Sequence, residues 1–220
     1  QKSCLALLSE LPNAKNIAEC NLTHLTHLLS DNFNKKFDRD KAIEIREIAR
    51  KSIGTPSESV AFELKQTISI IQFLQKQIDD IDKRIKEILK EIDTPILSIP
   101  GISFKLAGSI LAEIGDISRF DSPSKLLAFA GLDPSMYQSG KFFSTHSVMV
   151  KRGSKYLRFA LMNASRMVCM NDAVFNNFKN KKMSEGKHYM VTMGHVAKKL
   201  VRVIYYLLKT NNKYEADKVA

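Results

Sequence analysis

The stretch Ile96-Leu97-Ser98-Ile99-Pro100-Gly101-Ile102-Ser103-Phe104-Lys105-Leu106-Ala107-Gly108-Ser109-Ile110-Leu111-Ala112-Glu113-Ile114-Gly115 decides how the chain is read. Ile99-Pro100-Gly101-Ile102 predicts a tight apolar turn. After it, Leu106, Ile110, Leu111 and Ile114 recur at the spacing of one helix face. Together they predict the hairpin and second helix of a helix-hairpin-helix unit. In such a unit a glycine turn lets backbone N–H groups at a helix N-terminus approach a phosphate, and the helix dipole favours the anion. Gly101 and Ile102 are therefore candidate nucleic-acid contacts that hold a phosphate backbone without reading its sequence. Ser103 stands where many such turns carry a second glycine, and its hydroxyl predicts an N-cap for the helix that follows.

Upstream, Gly54-Thr55-Pro56-Ser57 marks a stop and a helix start, with Ser57 as N-cap. Ile71, Leu74, Ile78, Ile81, Ile85, Ile88 and Ile92 then alternate spacings of three and four, which is a heptad seam. At about 1.5 Å per residue such a helix reaches roughly 50 Å. A coiled-coil arm for self-association is the functional reading, and an intramolecular hairpin against residues 17–53 is the alternative. Asp79, Asp80 and Asp82 lie on the outer face and read as solvating charge. Before this helix, residues 1–53 predict short helices, broken at Leu11-Pro12-Asn13, with apolar periodicity over Ile17 to Leu29 and Lys41 to Ile53. The chain opens inside a helical segment and is expected to be part of a longer protein.

Downstream, Ser122 and Pro123 predict the N-cap and first residue of a short apolar helix that Gly131-Leu132-Asp133-Pro134 closes. Residues 135–153 are the least helical part, rich in hydroxyls, and end in the basic turn Lys151-Arg152-Gly153. Two helices follow, Ser154 to about Met170 and Tyr189 to Lys209, separated by a basic linker from Lys179 to Lys187. The predicted fold class is all-α. A long coiled-coil helix leads into a basic helical domain that contains the helix-hairpin-helix and a small irregular or hairpin serine loop. The domain partition is 1–56, 57–93, 94–210 and a frayed tail, 211–220.

Charge narrows the function. Lys and Arg number 34 against 23 Asp and Glu, a net charge of +11. From Ser139 onward 16 basic residues face 4 acidic ones, so the last third carries more than the whole excess and is the polyanion-facing part. No apolar run approaches the roughly 18 residues of a membrane span, and Gln1-Lys2-Ser3-Cys4 lacks a signal pattern, so no membrane partner and a cytoplasmic location are expected. Cys4, Cys20 and Cys169 lack metal-type spacing and read as reduced thiols. His24 and His27 stand i, i+3 with no third ligand, so no metal site and no cofactor are expected in this chain. His188 and His195 read as helix-surface groups.

A hydroxyl can act as nucleophile in phosphoryl transfer where neighbouring cations stabilise charge on the phosphate. The hydroxyl-rich loop lies beside Lys141, Lys151, Arg152, Lys155 and Arg158, which could clamp a phosphate. Ser139, followed by Gly140, is the candidate nucleophile, with Ser135 in reserve and Ser144 and Ser147 behind them. His146 could serve as a base, and Tyr137 could stack on a base or anchor the loop. On residue types alone Ser139 also reads as a plain turn residue, and each cation as part of a solvated turn.

The ordered set Ile99-Pro100-Gly101-Ile102, Ala112 to Ile117 with Phe120, Lys125 to Pro134, Gln138-Ser139-Gly140, and Lys151-Arg152-Gly153-Ser154 with Leu157-Arg158 resembles the C-terminal transposase domain of the DEDD-type bacterial insertion-sequence transposases, the bridge-RNA-guided recombinases. The likeness covers roughly residues 94–210, and the long helix before it is similar to that family's connecting coiled coil. It implies DNA transposition, with DNA and a structured guide RNA as partners and a homo-oligomer joined through the coiled coil. It implies that Ser139 attacks DNA and that Lys151, Arg152 and Arg158 contact phosphate or RNA. Four acidic metal ligands, holding a divalent ion such as Mg, would belong to an upstream ribonuclease-H-like domain, and this chain alone would then not recombine DNA. A non-catalytic, self-associating nucleic-acid-binding module is the other reading. Phosphate contacts predict that nucleic-acid binding weakens at least about tenfold between about 50 and 200 mM salt, checked by titration at both concentrations.

Overall fold

The computed structural model describes residues 2–32, 38–134, 138–139, 142–143 and 149–218, and for residues 2, 3, 31, 32, 138, 139, 142 and 143 the backbone alone. They form two units, Gln1–Ile81 and Asp82–Ala220. In the first unit the helices are α1 (Lys2–Glu10), α2 (Ala14–Glu19), α3 (Leu22–Asn32) and α4 (Arg39–Arg50). The apolar run from Ile17 to Leu29, continuous by periodicity, is two helices. The chain turns extended at Cys20, and Asn21 Oδ1 accepts from Thr23 N–H at 2.8 Å to start α3. Leu25, Leu29 and Ala42 make a small core ringed by Leu7, Leu11, Ile17 and Ile45.

The long helix α5 runs from Glu58 to Ile92, starting where Ser57 Oγ accepts from Val60 N–H at 3.5 Å. Asp93, with φ +47, ends it in a left-handed turn. The boundary between the two units falls within α5, after Ile81. In the second unit its last turns are tied to their neighbours. Ile85 and Leu89 join the core, and Asp82 pairs with Lys105 at 2.9 Å instead of serving only as solvating charge.

The second unit continues through a 3₁₀ turn (Pro95–Ser98), α6 (Phe104–Ile114), a second 3₁₀ turn (Ile117–Arg119) and α7 (Pro123–Phe129). The two-residue strands β1 (Gln138–Ser139) and β2 (Phe142–Phe143) pair antiparallel, Ser139 opposite Phe142. Then come α8 (Lys155–Asn171), α9 (Ala173–Ser184), α10 (Tyr189–Thr210) and a last 3₁₀ turn (Ala216–Lys218). The architecture is all-α, as the sequence predicts. Its core is the meeting of α6, α8 and α10: Ala107, Ile110 and Ile114 against Leu157, Leu161, Ala164 and Val168, with Val196, Leu200 and Ile204 closing it.

Ser103 and Ser122 cap α6 and α7 as expected, accepting from Leu106 and Lys125 N–H. Gly101, at φ +92, sits so close to α8 that a Cβ there would lie 2.5 Å from the Met167 carbonyl oxygen. The close approach that glycine permits is thus made to a neighbouring helix backbone, and Ile102 is a core residue at 7% exposure.

Two expectations downstream give way. The basic linker is mostly helix. Asp172 Oδ1 accepts from Phe175 N–H at 3.0 Å and starts α9, whose lysines hid the pattern because Phe175 is its one fully buried residue. The tail is not frayed at Tyr214, whose N–H donates to Ser98 Oγ at 2.8 Å and whose hydroxyl donates to Asp172 Oδ2 at 3.0 Å. Its ring stacks on Phe175 at 6.4 Å. In urea unfolding, Gly101→Ala is expected to cost about 2–4 kcal/mol through overpacking and backbone strain. Tyr214→Phe should cost about 1–2 kcal/mol for the hydrogen bond it removes.

Candidate functional site

The hydroxyl-rich loop leaves and re-enters the domain through a clasp. Pro134 bridges Met149 antiparallel, Val150 N–H donates to the Asp133 carbonyl at 2.9 Å, and Lys151 N–H donates to Gly131 at 3.1 Å. Ser154 N–H closes the clasp on the Phe129 carbonyl at 2.8 Å. Two glycines make this fit possible. A Cβ on Gly131 would lie 2.2 Å from the Arg152 carbonyl oxygen, and one on Gly153 the same distance from that of Phe129.

Side chains lock the clasp to the helices. Arg158, on the first turn of α8, reaches back so that Nη1 donates to Lys151 O at 3.0 Å and Ala130 O at 3.3 Å. Ser154 Oγ accepts from Leu157 N–H at 2.9 Å, capping α8, and donates to Glu113 Oε2 at 2.5 Å. Glu113 belongs to α6, so the opening stretch of the sequence is joined directly to the frame that carries the loop.

Beyond this frame Lys151, Arg152 and Lys155 stand exposed, and none forms an ion pair with a described residue. Lys151 takes a left-handed backbone, φ +57, and Lys155 Nζ lies 5.0 Å over the Tyr156 ring. The clasp therefore presents three cations at the root of the loop, while Arg158 is committed to two backbone carbonyls. Ser135, Tyr137, Lys141, Ser144, His146 and Ser147 lie outside the described residues, as does the side chain of Ser139. The Ser139 backbone is placed in the β1–β2 pair. Among the described residues no group of three or more His, Cys, Asp or Glu side chains could hold a metal ion.

A second group of cations went unmarked in the sequence. Lys198, Lys199 and Arg202 line one side of a cavity of about 770 Å³ on α10, with Lys213 and Lys218 from the tail across it. Burial lowers the Lys198 ammonium pKa, nearby Arg202 adds to this, and Asp133 at the foot of the clasp opposes it. The same causes, burial first and then neighbouring lysines, lower the pKa of His195, which lines this cavity. The basic i, i+4 pair Lys198 and Arg202 was the available signal. The cavity depends on the returning tail, which periodicity does not foretell.

Residues 93–180, from the turn before the hairpin stretch to within α9, match the model of the transposase IS116/IS110/IS902 family. That segment is similar to the transposase domain of this family. Over 125 residues it is 27% identical to a 43.6 kDa insertion element IS110 protein of Streptomyces coelicolor, covering 56% of this chain and 30% of that protein. It is 30% identical over 121 residues to a pilin gene-inverting protein of Moraxella bovis, covering 54% and 38%. It is 33% identical over 106 residues to the transposase for insertion sequence element IS1111A of Coxiella burnetii, covering 47% and 27%. The chain thus spans well under half the length of these relatives.

The family segment contains the whole clasp, and the division of labour within it is open to measurement. Arg158→Ala should cost about 1–3 kcal/mol of stability by leaving two carbonyls without their donor. Lys151→Ala and Arg152→Ala should each stay within about 0.5 kcal/mol of the parent in urea unfolding.

Proposed function

We propose that the chain is the nucleic-acid-binding, serine-bearing C-terminal part of a DNA transposase or site-specific recombinase. The observation that carries this reading is the coincidence of the family match over 93–180 with a clasp that offers unpaired Lys151, Arg152 and Lys155 at the root of the Ser139 loop. The matched relatives include insertion-sequence transposases and pilin gene-inverting proteins.

In this reading the Ser139 hydroxyl attacks a DNA phosphorus. The Oγ–P bond forms, the phosphorus bond to one deoxyribose oxygen breaks, the serine proton departs and the freed oxygen takes up a proton. The basic turn holds the phosphate and offsets its charge. Acidic residues of a DEDD type, with their divalent metal, belong to an upstream domain of the longer protein, so this chain by itself binds nucleic acid without exchanging strands. A structured guide RNA supplies target choice, consistent with phosphate contacts that carry no sequence information. Self-association runs along α5, where Ile71, Leu74, Ile78 and Ile81 are 42–58% exposed on one seam.

With the upstream domain supplied, Ser139→Ala should abolish both the covalent protein–DNA adduct and recombination, while Ser135→Ala retains them. If the Ser139→Ala protein still forms the adduct, the nucleophile is another group. If no adduct or exchange is found with any serine intact, the chain is a non-catalytic binding module. Leu74→Glu with Ile78→Glu should reduce the molar mass of the 220-residue chain in light scattering to that of a monomer.

A further inference from the structure

The cavity on α10 lies beyond the family-matched segment except for Phe178, and nothing in the clasp chemistry requires it. Its walls are of two kinds. The floor is apolar, from Phe178, Val203 and Leu207, and the rim is mostly cationic, with Glu215 its acidic member. Three of the rim cations, Lys198, Arg202 and Lys213, form no ion pair with a described residue, whereas Lys218 is paired with Glu215 at 2.9 Å. Tyr206 stands at the edge with its side half exposed. The tail wall is held in place, because Tyr214 is hydrogen-bonded at both its backbone and its hydroxyl.

A concave site with an apolar floor, an aromatic edge and unpaired cations suits a ligand with a flat apolar face and a negative charge. A duplex presents phosphates on a convex surface with its bases stacked inside, so it would use the rim and leave the floor empty. A fully charged small anion would gain nothing from the floor. An unpaired nucleotide uses both surfaces, stacking its base on an aromatic ring while its phosphates lie along the cations. A volume of about 770 Å³ leaves room for such a group with its flanking phosphate.

We propose that the α10 cavity binds single-stranded nucleic acid, seating an unpaired base against Tyr206 and the apolar floor with its phosphates on Lys198, Arg202 and Lys213. Lys198 is within electrostatic reach of Asp133, whose carbonyl receives Val150 in the clasp. A strand held on α10 is therefore held beside the foot of the serine loop. Binding here needs neither Ser139 nor any upstream domain, so failure of this site and failure of the strand-transfer reading are separable.

The test is fluorescence anisotropy of the full 220-residue chain with a dye-labelled oligothymidylate and, separately, a duplex of equal length. Tyr206→Ala is expected to weaken single-strand binding about tenfold and to change duplex binding less than about twofold, while Tyr206→Phe, which keeps the ring, binds the single strand like the parent. Arg202→Ala with Lys198→Ala should weaken the single strand at least about tenfold. The proposal is overturned if Tyr206→Ala leaves single-strand affinity unchanged, if it weakens strand and duplex equally, or if millimolar inorganic phosphate displaces the oligonucleotide as fully as unlabelled strand does. Circular dichroism of each variant, matched to the parent, shows that loss of binding is not loss of fold.

Discussion

Where the Met167 carbonyl of α8 meets Gly101, two backbones touch with no side chain between them, and the second unit depends on that contact. It sets how near the hairpin stretch can come to α8. That distance in turn lets Ile99, Ile102 and Ala107 enter the same core as Leu161, Ala164 and Val168. The α6 helix so placed carries Glu113 to Ser154, which caps α8 and closes the clasp on Phe129. A chain of short contacts therefore runs from one glycine to the root of the serine loop. The hairpin thereby positions the frame from which that loop departs.

The same economy governs the arginines and lysines. Arg158 satisfies the Ala130 and Lys151 carbonyls, and Arg119 lies 5.4 Å from the Phe120 and Phe129 ring centroids with a hydrogen bond to the Ile114 carbonyl. A guanidinium can serve several acceptors and a ring face at once, which suits it to frame-building. Among the described cations that form no ion pair with a described residue are Lys151, Arg152 and Lys155 at the clasp, Lys198 and Arg202 on α10, and Lys213 in the tail. A protein with a net charge of +11 thus directs part of that charge at its own carbonyls.

Much of this was legible in the order of residues. Capping follows local rules, so Ser57, Ser103 and Ser122 mark helix starts wherever the chain goes next. The heptad seam and the α8 and α10 faces were equally plain, because the period of a buried stripe is a property of one helix. The misreadings share a cause. The α9 helix buries little besides Phe175, so its stripe is too narrow to stand out among its lysines. The tail looked unstructured because Tyr214 finds Ser98 and Asp172 at separations of 116 and 42 residues.

Sequence alone determined the fold class, the helix starts, the basic last third and the motif order that resembles the transposase family, since all of these rest on neighbours a few residues apart. Tertiary structure decided which charges remain for a partner and where a cavity opens. Arg158 and Lys151 look alike as cations seven residues apart, and only folding turns one inward to carbonyls and leaves the other in solvent. Lys198 and Arg202 become a site only because the tail, 11 or more residues later, returns to wall it in.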